Sequence, residues 1–241
     1  MIRALQRLAP LVLALLVGCS SEKDNAEPPA PLTDIDSPLP LIINWKRDTS
    51  GAENSAAYRL QPLLIGDRVY TIDTEGSIVC VNAADGRRIW RFETGLSAIA
   101  GLGGDAGLII ASSRDGDIAA YREQEKGLQL AWKVSIDNEI RATPVLDGEQ
   151  IFVRSVDGRL RSLSAADGSL QWVIAHRVPA LSLTGNSEPL VVGQQVFVGM
   201  DDGKLLALDR NSGEVVWEAT VSLPSGRTEV ERLVDVDGRF V

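Results

Sequence analysis

His176 is the only imidazole in this 241-residue chain. It could serve as a general base only beside an activated serine and an orienting acid. No Gly-x-Ser-x-Gly elbow accompanies it, so a structural role is the simpler reading. The same count excludes a metal centre built on several histidines. Gly101-Leu102-Gly103-Gly104-Asp105-Ala106 has the spelling of a dinucleotide fingerprint. It runs into the strand-like Leu108 to Ser112 rather than a helix, so the helix N-terminus that would hold a pyrophosphate is missing and a hairpin is expected. Asp201-Asp202 and Asp115-Gly116-Asp117 could offer oxygens to calcium. They occupy turn-like stretches, and about six converging oxygens would be needed. Cys80 lies in the apolar run Ser77 to Asn82 and reads as a small buried strand residue, with no intramolecular disulfide expected. No catalytic residue, metal or cofactor is expected from these groups.

The elements that carry these residues follow from a repeat. Tryptophans at Trp45, Trp90, Trp132, Trp172 and Trp217 recur at roughly 40 to 45 residues. Ahead of the last four stand Glu75-Gly76, Asp115-Gly116, Asp157-Gly158 and Asp202-Gly203. In the third copy, turn signals cut the chain into Thr143 to Leu146, Gln150 to Ser155, Arg159 to Ser164 and Leu170 to Ile174. Glycines suit tight hairpin turns, and the β-branched and apolar residues between them suit a pleated surface. No interval leaves room for a helix. Four short antiparallel strands at this period describe a β-propeller blade, with each Trp buried between neighbouring blades. The fold class is all-β, and the repeat glycines Gly76, Gly116, Gly158 and Gly203 are architectural.

The start of the chain has another composition. Arg3 and Arg7 precede the apolar run Leu8 to Val17, which is short for a membrane span, and Leu16-Val17-Gly18-Cys19 ends it. This resembles the lipobox of bacterial lipoproteins, the alternative being an uncleaved anchor. The resemblance implies a signal peptide over 1–18 and lipidation at Cys19. With Ser20 and Ser21 following, it implies the outer membrane. Residues 19–40, rich in Ser, Glu, Asp and Pro, read as a flexible tether. Residues 41–241 read as a partial propeller: four blades, the start of a fifth, and Leu41 to Trp45 as a lone strand that completes a last blade. A longer parent protein is therefore expected. The net charge of −9 becomes −11 without the two leader arginines and argues against nucleic acid as a partner.

Two stretches exceed the repeat. Val178 to Pro189, VPALSLTGNSEP, lengthens the link after the Trp172 strand and presents Leu181 and Leu183. Those leucines either plug a blade junction or anchor a partner. Pro224 to Gly238, PSGRTEVERLVDVDG, follows the Trp217 strand. If Asp237-Gly238 is the first turn of a fifth blade, its acids belong to a hairpin. If that blade begins near Phe240, Asp235 and Asp237 belong to a link between blades and share a rim with Leu181 and Leu183.

The blade motif resembles the quinoprotein-like (PQQ) repeat. The lipobox, the lone strand and the two long loops together resemble the BamB family, lipoprotein subunits of the outer-membrane β-barrel assembly machinery. That resemblance implies eight blades in the complete protein and no enzymatic activity. It implies docking on a POTRA domain of BamA through Leu181, Leu183, Asp235 and Asp237, and contact with other assembly subunits; exposed blade edges could in addition take up strands of unfolded outer-membrane proteins. It also favours the later start of the fifth blade. Thr184 stands where the family usually has Arg, which removes a multidentate donor and leaves Arg177 as a nearby cation. Two alternatives stay open. One is a quinone-dependent dehydrogenase, a class that carries an adjacent cysteine pair absent here; the other is a lipoprotein propeller scaffolding a different envelope complex.

Overall fold

The computed structural model describes residues 31, 40–49, 58, 60–183, 187–225 and 227–237. The proposed leader, Cys19 and most of the tether lie outside the described residues. Ile43 to Val241 forms one compact unit.

Within that unit the chain forms four sheets, each of four consecutive antiparallel strands. The first blade holds β1 (Leu63–Ile65), β2 (Arg68–Ile72), β3 (Ser77–Asn82) and β4 (Arg88–Glu93), and the second holds β5 (Gly103–Gly104), β6 (Ile109–Ser112), β7 (Asp117–Gln124) and β8 (Gly127–Ser135). The third holds β9 (Val145–Asp147), β10 (Gln150–Arg154), β11 (Arg159–Ser164) and β12 (Leu170–Ala175). The fourth holds β13 (Leu190–Val192), β14 (Gln195–Gly199), β15 (Lys204–Asp209) and β16 (Val215–Thr220). The turns are where the Asp-Gly signals put them, with Gly76, Gly116, Gly158 and Gly203 all at positive φ. This is the expected all-β propeller architecture.

Alternation along each strand sends side chains to both faces of a blade, and each face packs on a neighbour. Ile78 and Cys80 of β3 meet Ile109, Ala119 and Tyr121 of the second blade. Ile110, Ile118 and Ala120 meet Ile151, Val153 and Leu163 of the third. Phe152 and Leu160 meet Val196, Val198 and Leu206 of the fourth. Cys80 is buried and free, and burial pushes its thiol up to about 11.

The tryptophans lock these junctions. Trp132 Nε1 donates to Ala165 O at 2.9 Å, and Trp172 Nε1 donates to Arg210 O at 2.8 Å. In both cases the ring lies over a turn glycine of the next blade. A Cβ at Gly168 would sit 2.6 Å from Trp132 Cε3, and one at Gly213 would sit 2.7 Å from Trp172 Cε3. Only a glycine leaves room for the ring there while holding positive φ.

One expectation needs correction, the burial of every repeat tryptophan between blades. Residues 41–49 make no ladder with any described strand, and Leu41, Ile42 and Ile43 are exposed. Trp45 nonetheless docks as its counterparts do, donating to Ala83 O at 2.9 Å across Gly86. Trp217 is 40 % exposed, and its ring contact is with Phe197 of its own blade, 5.7 Å between centroids. Trp90 donates to a side chain, Glu123 Oε1 at 2.9 Å, because the β7–β8 hairpin runs straight to a tight turn and offers no turn carbonyl. The glycine run forms the expected hairpin: Gly103–Gly104 is β5, paired antiparallel with β6, and pressed so closely on the next blade that a Cβ on Gly103 would lie 1.9 Å from Pro144 O.

Candidate docking surface

The links between blades gather at one end of the sheets. Arg114 N donates to Ser97 O at 2.9 Å and Val156 N to Glu139 O at 3.0 Å, so each link lies against the next blade's inner hairpin. At the opposite end, Ala83 N donates to Asp67 O, Ala165 N to Glu149 O and Arg210 N to Gln194 O. The two long loops belong to the first of these ends.

Loop 177–189 is pinned at both ends. His176 N donates to Gly158 O at 3.0 Å, while buried Ser187 accepts the Gly199 amide on its Oγ at 3.0 Å. Between the pins, Leu181 is 44 % and Leu183 62 % exposed, so neither leucine plugs a blade junction. Arg177 is exposed, and Thr184 lies outside the described residues.

The second loop is shaped before it reaches its acids. Glu231 Oε2 accepts the amides of Arg227 (2.7 Å) and Thr228 (3.1 Å), and Thr228 Oγ1 accepts the Glu231 amide at 3.2 Å. This reciprocal box satisfies the donors of a tight turn and holds the Glu231 carboxyl below its usual range. The chain then returns onto the fourth blade, where Val236 N donates to Met200 O at 3.1 Å. Ile140 N makes the equivalent bond to Ser113 O in the link between the second and third blades. Residues 233–237 form no strand, and Val236 sits on its blade as Ile140 does in a link, which favours the link reading of Asp235 and Asp237. Two glycines allow the close crossing: a Cβ at Gly199 would lie 2.3 Å from Val236 O, and one at Gly203 would lie 3.1 Å from Val234 Cγ2.

The two loops touch. Leu183 N donates to Asp235 Oδ2 at 2.5 Å, which brings together residues 52 positions apart. The other oxygen, Asp235 Oδ1, is buried with no partner among the described residues. Burial pushes the Asp235 carboxyl above the ordinary carboxylate range, Asp201 and Asp237 push it further, and the Leu183 amide pulls the other way. Beneath lies a buried ion pair, Arg154 with Asp201, whose side chains are 3 % and 5 % exposed. Beside it, His176 Nε2 stands 2.8 Å from Asp202 Oδ2. The geometry thus offers two exposed leucines next to a poorly solvated carboxylate, that of Asp235, a surface suited to an apolar partner edge flanked by cations.

The Gly199 crossing and the His176 and Asp202 pairing escaped the sequence reading. A glycine inside the strand pattern Val196-Phe197-Val198-Gly199 is itself a sign of close backbone approach. The lone histidine carried no comparable sign, because its partner is 26 residues away.

A family model described as "Outer membrane protein assembly factor BamB" matches residues 74–241. The chain belongs to the BamB family. It is 32% identical over 235 residues to the BamB of Burkholderia pseudomallei, covering 95% of this chain and 60% of that protein. It is also 32% identical to the BamB of Vibrio cholerae, covering 94% and 59%. The chain thus spans about 60% of the length of these curated relatives. Its fold is similar to the crystal structure of BamB from Moraxella catarrhalis, with a TM-score of 0.68 at 24% identity over 79% of this chain and 57% of that one. A quinohemoprotein alcohol dehydrogenase from Pseudomonas putida shares the fold more distantly, with a TM-score of 0.54 at 14% identity over 66% and 33%.

Proposed function

We propose that this protein is a non-enzymatic scaffold of the outer-membrane protein assembly machinery, held at the periplasmic face of the outer membrane by lipid on Cys19. It docks on a POTRA domain of BamA. Leu181 and Leu183 enter an apolar hollow of that domain, while Asp235 and Asp237 meet its basic groups. The observation that carries this reading is the Leu183 to Asp235 contact, which joins the two loops that exceed the blade repeat in a chain of the BamB family. Exposed leucines gain when a partner covers them, and Asp235, already short of solvation, has less hydration left to lose.

Co-purification tests the reading. The protein with Leu181, Leu183, Asp235 and Asp237 all changed to alanine should lose the BamA-type subunit at salt concentrations where the native protein keeps it. Equal recovery by both would reject the docking surface.

A further inference from the structure

His176 and Asp202 sit outside the four residues assigned to docking, yet they connect the elements that carry them. His176 directly follows the third blade's last strand, and loop 177–183 leaves from it. Its backbone is fixed twice by Gly158: the His176 amide donates to Gly158 O at 3.0 Å, and His176 O lies 2.5 Å from where a Gly158 Cβ would be. The ring is therefore aimed from a rigid base. It reaches the β14–β15 turn, where Nε2 meets Asp202 Oδ2 at 2.8 Å. A carboxylate oxygen accepts, so the donor is Nε2–H. That turn in turn seats the acidic segment: Gly203, next to Asp202, takes Val221 and Ser222 as donors to its carbonyl, lies against Val234, and is followed across the same turn by the Met200 O to Val236 N bond.

Asp202 Oδ1 is buried and has no partner among the described residues. His176 is thus what fixes the orientation of this carboxylate, and through the turn it sets the spacing between the root of the leucine loop and the seat of the acidic one.

We infer that His176 and Asp202 form a positioning pair that holds loop 177–183 at docking distance from segment 233–237. This inference rests on the docking reading above. It assigns the chain's single histidine a role that is neither catalytic nor metal-binding. Without the pair the two loops lose a contact that fixes their spacing, and the partner must pay the ordering cost when it binds.

The test measures affinity of the protein for a purified POTRA-domain fragment of BamA, together with thermal unfolding. His176→Ala should weaken binding about fivefold, the equivalent of one hydrogen bond of about 1 kcal/mol, with little change in melting temperature. His176→Gln places an amide N–H near the Nε2 position and should restore most of the affinity. His176→Ala combined with Asp202→Ala should bind no worse than either single variant, because one interaction cannot be lost twice. The inference is overturned if His176→Ala binds as the native protein does, if Gln fails to rescue, or if the two losses add. The four-residue alanine variant runs alongside: native-like binding by that variant rejects the docking reading itself and this inference with it. Its loss of binding with His176→Ala unaffected rejects the positioning pair alone.

Discussion

Asp235 occupies a place that disfavours its own charge, with burial and two neighbouring aspartates opposing ionisation and the backbone amides of Leu183 and of Asp235 itself supporting it. Its folded carboxyl therefore keeps a proton to higher pH than the unfolded one does. Across the window between the ordinary aspartate value and the raised one, folding takes up protons, and native stability falls as pH rises. Asp235→Asn removes that penalty and can still accept the Leu183 amide. Urea unfolding should show the variant gaining on the native protein as pH climbs through the window and holding its advantage above it, with the two converging in stronger acid. Partner affinity should move the opposite way, dropping at least about tenfold as a charge that meets basic groups is lost. A variant that is no more stable at neutral pH would show that the carboxylate is well solvated. Glycine positions make a second residue-scale case. Gly168→Ala puts a methyl group 2.6 Å from Trp132 Cε3 at φ +74°, and should cost about 1–3 kcal/mol in chemical denaturation. Gly148→Ala, at φ +61° with nothing within 4 Å, carries the backbone strain without the clash and should cost less.

Among the elements, the β7–β8 hairpin departs most from its counterparts. Its strands run on to Gln124 and Gly127, and Glu123 near the tip replaces the turn carbonyl that receives Trp132 or Trp172 elsewhere. That one carboxylate accepts Arg68 Nη1 at 2.6 Å, Tyr70 Oη at 2.8 Å and Trp90 Nε1 at 2.9 Å. Its bond with Tyr70 is one of the causes, after burial, that push the phenol above its ordinary range. Glu123→Ala leaves three donors at the junction of the first two blades without their acceptor. It should destabilise the protein by about 2–3 kcal/mol in urea melts, more than the same change at exposed Glu218 on β16. The regular blades were legible in the sequence because their boundaries are set locally. Asp147-Gly148, Asp157-Gly158 and Asp167-Gly168 mark turns that need positive φ, and the strands between them begin and end within about two residues of where those turns require. Leu41 to Trp45 is the opposite case, because a strand exists only with a ladder partner, which local composition does not supply. The partner of Trp90 was hidden for the same reason: Glu123 reaches it only after two blades have packed.

For the whole molecule, the same logic separates what could be read from what could not. The docking loops stood out as excess length between blades, and the choice between hairpin and link for Asp235 and Asp237 was left open by the sequence. Packing favours the link, since Val236 takes the position that Ile140 takes two links earlier. Such a surface on a chain of net charge −9 should recognise its partner partly through charge, so the affinity for BamA should fall with added salt, and fall less steeply for the variant lacking Asp235 and Asp237. The central claim concerns which end of the propeller meets the partner, and site-specific photocrosslinking in the intact envelope tests it most directly. A crosslinker at Leu183 should capture the BamA-type subunit, while one at Asn211, in the turns at the opposite end, should not. Capture from Asn211 with none from Leu183 would contradict the account.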